Sequence, residues 1–347
     1  MKRILVTGGS GFIGSAVIRL ALSRGYHVVN VDALTYAAGL GNLSGYEDHA
    51  NYVFQRVDLR DRSALDEVFI AVKPMAVLHL AAESHVDRSI DGPEDFVTTN
   101  VVGTFNLLEA SRAFWLAFGC LALARFIHVS TDEVFGELGE TGSFSESTPY
   151  APRSPYSATK AASDHLARAW HETYGMPVIV TNCSNNYGPY QNPEKLIPQT
   201  ILRAISGKHI PIYGTGKNVR DWLFVEDHAA ALLDVLERGR VGQSYNIGGN
   251  SEVQNIEIVR TICGLLDELR TQALKHEILI SFVSDRPGHD FRYAIDSSKI
   301  SAELGWQAQT KLTEGLAATV KWYLANGSWC GEVLARPDAL TRKGLSA

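Results

Sequence analysis

The chain has 347 residues, 45% hydrophobic and 20% charged, enough apolar material for a large core and more than one folding unit. A net charge of -6 and an isoelectric point near 6.0 leave no broad basic face to neutralise a phosphate backbone, so nucleic acid is not an expected partner, while a single nucleotide stays admissible. The four cysteines, at 120, 183, 263 and 330, lack the CxxC spacing of a metal or redox site; they fit reduced thiols in a cytoplasm and give no reason to expect a metal.

The first strand is expected at Arg3 to Thr7, with no apolar run or cleavage site ahead of it, so no secretory signal is predicted. A helical period follows from Phe12 to Ser23, then strands at His27 to Val31 and Tyr52 to Val57. The pattern continues with a helix at Arg62 to Val72, a strand at Ala76 to Leu80 and a helix at Val101 to Phe118. A strand at Arg125 to Ser130, a helix at Tyr156 to Tyr174 and a strand at Val178 to Cys183 complete it. The longest apolar stretch, Ala113 to Ala124, has 12 residues, short of the roughly 20 that span a bilayer. It is expected to be the end of a core helix and the approach to a buried strand, and no membrane partner is predicted.

Strands alternating with helices are the mark of βαβ units and a parallel, doubly wound α/β sheet of the Rossmann type, assigned to residues 1–183. Beyond that point the loops "SNNYGPYQNP", "YGTGKNVRD" and "DRPGHDFRYAID" separate shorter elements. Residues 184–347 are therefore expected to form a smaller mixed α/β substrate region, with some segments interleaved with the first domain. No repeat or low-complexity linker is present, so the two parts are expected to pack rigidly around a cleft. The tail after Trp329 carries little pattern and is expected to be partly mobile.

In such a sheet the ligand binds outside the carboxyl ends of the strands. The first of these ends is "TGGSGFIG", which sets Gly8, Gly11 and Gly14 between a strand and a helix N-terminus, where backbone N–H groups can meet a pyrophosphate. Glycine turns also serve packing, and position decides between the two. Asp32 closes the second strand, 18 residues past Gly14, where an acidic residue meets the adenine ribose hydroxyls and repels a 2′-phosphate, which favours NAD over NADP. Asp58 suits an adenine contact, "LAAES" from Leu80 to Ser84 leaves room for the cofactor, and His79 reads as a core histidine.

"PYSATK" places Tyr156 and Lys160 at i and i+4, on one face of a helix. A phenol with a pKa near 10 is a poor base at neutral pH, and a neighbouring ammonium supports its phenolate. A surface Tyr and Lys pair is the plain alternative, disfavoured by the glycine turn, Asp32 and "VST" standing in order along the chain. After that "VST" come two adjacent acids, Asp132 and Glu133.

TGGSGFIG, LAAES, STDE, YSATK and SNNYGP together resemble the extended short-chain dehydrogenase/reductase family acting on nucleotide sugars. "STDEVFG", "ESTPYAPRSPYSATKA", "RDWLFVEDH", "YNIGGN" and "DRPGHDFRYAID" resemble, within it, the 4,6-dehydratases that act on dTDP-glucose. The resemblance spans nearly the whole chain. It implies an NAD-dependent hydro-lyase that oxidises the sugar at C4, eliminates water across C5 and C6 and returns hydride to C6, so that tightly bound NAD is regenerated each turnover. Tyr156 takes the C4 hydroxyl proton with Lys160 beside it, Thr131 binds the C4 oxygen, ionised Glu133 removes the C5 proton and protonated Asp132 donates to the departing C6 hydroxyl. Burial and the charge of Glu133 are both expected to raise the pKa of Asp132.

The cofactor set so implied is Gly8, Gly11, Phe12, Ile13, Gly14, Asp32, Ala33, Leu34, Thr35, Asp58, Leu59, Leu80, Ala81, Ala82, Thr99, Tyr156, Lys160 and Asn186. The substrate set is Ser84, Thr131, Asn185, Lys195, Leu196, Pro211, Ile212, Tyr213, Arg220, Asn255, Asp285, Arg286 and His289. Arg220 offers a fork suited to phosphate oxygens. Phe291 departs from the family pattern, in which an Arg is common there. Family members commonly pair the helices at Val101 to Phe118 and Tyr156 to Tyr174 across a two-fold axis, which implies a homodimer with a four-helix interface.

Two rivals remain. A UDP-hexose 4-epimerase keeps Tyr156 and Lys160 without needing Asp132 and Glu133, and a non-enzymatic NAD-binding scaffold needs none of the four. Thymine and uracil differ by one methyl group, so the nucleotide base stays open, as does the deoxysugar pathway, rhamnose or another, that the product feeds.

Overall fold

The computed structural model describes residues 3–270, 275–336 and 340. The Val- and Ile-rich runs of the first half form strands β1 (Arg3–Thr7), β2 (His27–Asp32), β3 (Tyr52–Arg56), β4 (Ala76–His79), β5 (Arg125–Thr131) and β6 (Val178–Cys183). They are parallel, and all but β3 are buried almost end to end, as a sheet covered by helices on both faces requires. β2 and β5 each run one residue past the expected end, to Asp32 and Thr131, so both residues expected at the site are held by the sheet itself.

Past β6 come β7 (Asn185–Tyr187), β8 (Ile210–Tyr213), β9 (Val219–Phe224) and β10 (Ser244–Ile247), then β11 (Glu252–Gln254) and β12 (Ile280–Val283). β10 returns to the main sheet beside β6, giving the seven-stranded order β10-β6-β5-β4-β1-β2-β3. The remaining strands form a small sheet, β11-β9-β7, and the parallel pair β12-β8. In the main sheet the chain winds outward in both directions from β1. The loops after β1 and β4 therefore diverge and open a crevice at the carboxyl edge, the position at which doubly wound sheets bind ligands.

Helices form at Phe12–Ser23 and Arg62–Val72, as the period predicts. The helix expected from Val101 starts earlier, with Pro93–Phe96 and a π-helical stretch Val97–Gly103 running into Thr104–Ala117. Buried Asn100 sits in that stretch; its Oδ1 accepts from the Glu83 N–H (2.8 Å) and its Nδ2 donates to the Glu83 carbonyl (3.0 Å) and to Thr159 (3.0 Å). The widened turn thus ties the β4 loop to the helix that carries Tyr156, a use typical of π-bulges near functional sites. That helix, Pro155–Tyr174, has a Ser154/Ser157 capping box, proline in its first turn and left-handed Gly175 after its end.

The chain after Trp329 is more ordered than its pattern predicts. Helix Gly327–Leu334 buries Trp329, Cys330 and Val333 against Leu312–Ala325, and the Trp329 indole donates to Asn42 (3.0 Å). The rest of the expected mobile tail, at 337–339 and 341–347, lies outside the described residues. Among the described residues no helix is long and apolar enough to cross a membrane.

One buried carboxylate joins the helix Pro155–Tyr174 to β5. Asp164 accepts from His128 (2.9 Å), Ser130 (2.7 Å), the Tyr150 hydroxyl (2.8 Å) and, more loosely, Asn182 (3.5 Å). The Asn182 amide also donates to the Thr131 carbonyl (3.1 Å). Burial pushes Asp164 up, but the bonds and charges of His128, Lys160 and Ser130 outweigh it and hold its carboxyl below the ordinary range. Its contribution to stability is therefore full above the unfolded aspartate value of about 3.9 and lost as the pH falls through the lower folded value. Asp164→Ala strands the three close donors, and denaturant unfolding at pH 7 is expected to show a loss of about 3–5 kcal/mol. The gap to the parent protein should narrow below about pH 4.

Candidate active site

The glycine loop is fixed by contact before any ligand is considered. A Cβ on Gly8, whose φ is +69°, would lie 2.7 Å from the Ala81 backbone, and one on Gly14 would lie 2.1 Å from the Gly8 carbonyl oxygen. The loop is thus pressed against the end of β4. Helix Phe12–Ser23 starts at Gly11 with no side-chain cap and no acid in its first turn, so its N-terminal N–H groups remain for an anion. Asp32 accepts from the N–H groups of Ser10 (2.9 Å) and Leu34 (2.8 Å). Burial raises its carboxyl, and those two bonds oppose the rise. These groups match the pyrophosphate and ribose of a dinucleotide.

They border a cavity of about 770 Å³ at the carboxyl edge of the sheet. Every residue of the expected cofactor set except Leu34 lies on its wall. Leu34, at φ 57°, contributes its backbone N–H to Asp32. His79 lies in the core, shared between the hydroxyls of Thr7 and Thr104 (2.8 Å each), as expected of a structural histidine.

Thr131, Glu133, Tyr156 and Lys160 also reach the wall, whereas Asp132 sits behind it, 1% exposed. The Thr131 hydroxyl accepts from the Glu133 N–H (3.3 Å), starting the 3-10 turn Asp132–Phe135, and meets the Asp132 Oδ1 (3.3 Å) and the Tyr156 hydroxyl. Among the described residues the buried Asp132 Oδ2 has no hydrogen-bond partner. Burial drives Asp132 well above the ordinary carboxylate range, and the charges of Glu133 and Asp221 add to it. Burial also holds Glu133 above its ordinary value, against the pull of Lys195, Arg286 and Arg220. The two neighbouring acids thus occupy unlike fields.

Lys160 differs from its expected part. Its ammonium donates to the Val129 carbonyl (2.9 Å), burial lowers its pKa and Asp164 holds it up. The Tyr156 phenol is pushed well up by burial, then by Glu133 and Cys183, with only the Thr131 bond opposing among its strongest neighbours. Helical spacing predicts a shared face, but not that the ammonium turns to the strand.

Of the substrate set, Ser84, Thr131, Asn185 and Lys195 line the cavity, and the Lys195 ammonium donates to the Ser84 carbonyl (2.9 Å). Leu196, Pro211, Ile212, Tyr213, Arg220, Asn255, Asp285, Arg286 and His289 do not. Ile212 packs in the core of the C-terminal part, and Asn255 opens a helix with its Oδ1 buried and unpartnered. Tyr213, Asp285, Arg286 and His289 do assemble: the Tyr213 and His289 rings meet edge to face at 6.0 Å, and His289 pairs with Asp285 (2.6 Å). The Arg220 fork is directed at the carbonyls of Val219, Phe291 and Asp290, with its guanidinium 4.3 Å over the Tyr293 ring. Phe291 takes part through its backbone, while its side chain is 43% exposed, so the departure from Arg there leaves these bonds in place.

Sequence reasoning missed Tyr36, Glu83, Asp87, Arg88 and Glu194. Arg88 forks onto Glu194 and lies 3.9 Å over the Tyr36 ring, whose hydroxyl donates to Glu83 (2.9 Å). The charges in "ESHVDRS" stand right after the cofactor stretch, but nothing in their spacing names partners a hundred residues away. Among the described residues no cluster of three or more His, Cys, Asp or Glu side chains is arranged to hold a metal.

The GDP-mannose 4,6 dehydratase family model matches residues 5–319. A dTDP-glucose 4,6-dehydratase of Xanthomonas campestris pv. campestris (strain B100) is 56% identical over 100% of both chains, and one of Neisseria meningitidis serogroup B is 56% identical over 99% of both. The crystal structure of a dTDP-glucose 4,6-dehydratase from Streptomyces venezuelae with NAD bound matches with a TM-score of 0.88 and 43% identity, covering 95% of this chain and 99% of that one. The UDP-glucose 4-epimerase of Thermus thermophilus, also with NAD, shares the fold (TM-score 0.82) at 29% identity, covering 93% of this chain and 99% of that one. The chain therefore belongs to the GDP-mannose 4,6 dehydratase family, and the two relatives just named, alike over nearly their full length, are dTDP-glucose 4,6-dehydratases.

Proposed function

We propose that this chain is the enzyme that converts dTDP-glucose to dTDP-4-keto-6-deoxyglucose with NAD as its cofactor. The observation that carries this reading is the unequal setting of Asp132 and Glu133 at the end of β5, beside Tyr156. A 4-epimerase needs no such pair. The glycine loop, the uncapped helix N-terminus and Asp32 would hold the cofactor, and when bound NAD supplies an acceptor for the C4 hydride and its donor to C6.

The chain's own residues then have separable tasks. Thr131 holds the C4 oxygen and Tyr156 takes its proton, which demands positive charge near a phenol that burial and Glu133 push up. The resulting C4 ketone makes the C5 proton acidic. Glu133, drawn toward ionisation by Lys195, Arg286 and Arg220, removes that proton. Asp132, kept protonated by burial and two nearby anions, is the proposed proton source for the leaving C6 hydroxyl, and because it lies behind the wall beside Thr131 the transfer requires its carboxyl to turn into the cavity. Lys160 and Asp164 anchor the helix beneath Tyr156. Among the expected substrate contacts, Ser84, Asn185 and Lys195 serve the sugar side, and the Tyr213 and Asp285–His289 cluster with Arg220 and Asn255 serves the nucleotide diphosphate.

The same reading divides the chain near residue 183 into a cofactor part and a substrate part, with β10 lent back to the first sheet; the separate buried core of Tyr187 to Val333 supports it. A cytoplasmic setting is supported by four unpaired cysteines, three of them buried. The proposed partner is a second copy, docked on helices Thr104–Ala117 and Pro155–Tyr174. Val102, Phe105, Leu116 and Tyr174 are all more than 40% exposed on these helices and the turn that leads into them.

Incubation with dTDP-glucose in heavy water, followed by NMR, tests the reaction: a 4-keto-6-deoxy product with deuterium at C5 is expected, and a galactose product would replace the reading by epimerisation. Glu133→Gln should still yield the 4-keto sugar but stall before water loss, cutting turnover by roughly 10²- to 10⁴-fold; dehydration at the parent rate rules Glu133 out as the base. For the dimer, Phe105→Glu should sediment as a monomer where the parent sediments as a dimer. A variant that stays dimeric places the interface elsewhere.

A further inference from the structure

Asp87 belongs to no set expected from the sequence, yet it is where the substrate cluster meets the cofactor part. It lies on the short helix Val86–Asp91, just past the β4 loop, and is 4% exposed. Its Oδ1 accepts from the Arg286 guanidinium (2.6 Å) and its Oδ2 from the Tyr213 hydroxyl (2.7 Å). Three segments far apart in sequence, the β4 loop, β8 and the loop at 285–289, are thereby fastened to one carboxylate. The ring of Tyr213 lies 5.9 Å from the Arg286 guanidinium carbon, so the two donors also flank each other.

The Arg286 fork is only partly used by this contact. Its Nη1 is held by Asp87, while the Arg286 Nε is buried and has no acceptor among the described residues. A buried guanidinium N–H without a partner is costly unless an acceptor arrives, and an anionic oxygen suits it best. Burial works against charge on Asp87, but Arg286, His85 and Tyr213 outweigh it and keep the carboxyl below the ordinary range.

We propose that Asp87 is a positioning residue for the nucleotide diphosphate: it orients Arg286 and Tyr213 from behind, so that the free Nε of Arg286 is presented to a phosphate oxygen. This rests on the functional reading for the identity of the ligand, not for the contact itself. A flexible arginine would lose its rotamer freedom on binding, and Asp87 removes that cost in advance. The effect falls mainly on substrate binding: Asp87 is not on the cavity wall, and removing its carboxylate leaves in place the Arg286 charge that acts on Glu133.

The test measures dTDP affinity by calorimetry and steady-state kinetics with dTDP-glucose on the NAD-loaded enzyme. Asp87→Asn is expected to weaken dTDP binding and to raise KM by roughly ten-fold, as loss of a charged hydrogen bond does, with kcat and bound NAD nearly unchanged. In the Arg286→Gln background the same substitution should add less than about two-fold, since its effect runs through Arg286. Tyr213→Phe, which keeps the ring, provides a milder check if Asp87→Asn folds poorly, and should raise KM at constant kcat. Unchanged affinity, tighter affinity (Asp87 then merely competing with phosphate) or a fall in kcat at constant KM overturns the proposal. Calorimetry with dTDP needs no turnover, so a parent protein that binds dTDP without dehydrating its sugar defeats the functional reading while leaving Asp87 testable.

Discussion

Two adjacent carboxylates at the end of one buried strand are the constraint around which this structure is organised. Out of water, like charges a few ångströms apart repel by several kcal/mol even at an effective dielectric near 20, so both cannot be ionised at no cost. The chain resolves this by placing cations unequally: Lys195, Arg286 and Arg220 all act on Glu133, while Asp132 faces Glu133 and Asp221 with Arg220 as the one opposing charge among its strongest neighbours. Burial raises both acids, and it is Asp132 that is driven well above the ordinary range. The unequal field sets the two neighbouring acids apart, as the proposed base and acid roles require.

That separation requires the strand end to stay where the field is. Asp164 does this from the helix side, through Ser130 and His128 on β5 and through an Asn182 amide shared with the Thr131 carbonyl. Lys160 does it from one turn earlier, through the Val129 carbonyl. The same helix carries Tyr156, so the phenol and the two acids are held in one rigid unit. On the opposite side, Asn100 pins the β4 loop through both backbone groups of Glu83. The cavity is thus bounded at β5 and at the β4 loop by backbone that is held by buried side chains.

The first half of the fold was legible because its signals are local. Apolar runs of strand length and a 3.6-residue period each predict their element, and Phe12–Ser23 and Arg62–Val72 fall where the period puts them. The π-helical stretch was not legible, since "VTTNVVG" reads as β-branched and its reason is the distant Glu83 backbone. The return of β10 to the main sheet was foreseen only as interleaving, because its pairing with β6 is non-local. In the site, residues directly after a strand were predictable from the switch-point rule. Asp87, Arg88 and Glu194 were not: each gains its meaning from a partner that only the tertiary fold brings near. The direction of the Lys160 ammonium was likewise invisible to spacing, which fixes a face but not a rotamer.

The contrast with the epimerase fold sharpens what distinguishes this chain. A protein 29% identical shares the architecture over 93% of this chain, so the sheet and crevice by themselves do not select a reaction. The acids at β5 come from the cofactor part, but all three cations that tune Glu133 come from beyond residue 184. Neither part alone makes the unequal field. The elimination chemistry proposed here is therefore a property of the contact between the two parts, and the ties that fix that contact, Lys195 on the Ser84 carbonyl, Arg88 on Glu194 and Arg286 on Asp87, all end on one short stretch after β4. That stretch leaves the sheet next to β1, where the glycine loop begins. A displacement of the substrate part would loosen the field on Glu133 through the same residues that border the cofactor, which makes positioning of the acids and closure around the ligands a single mechanical condition.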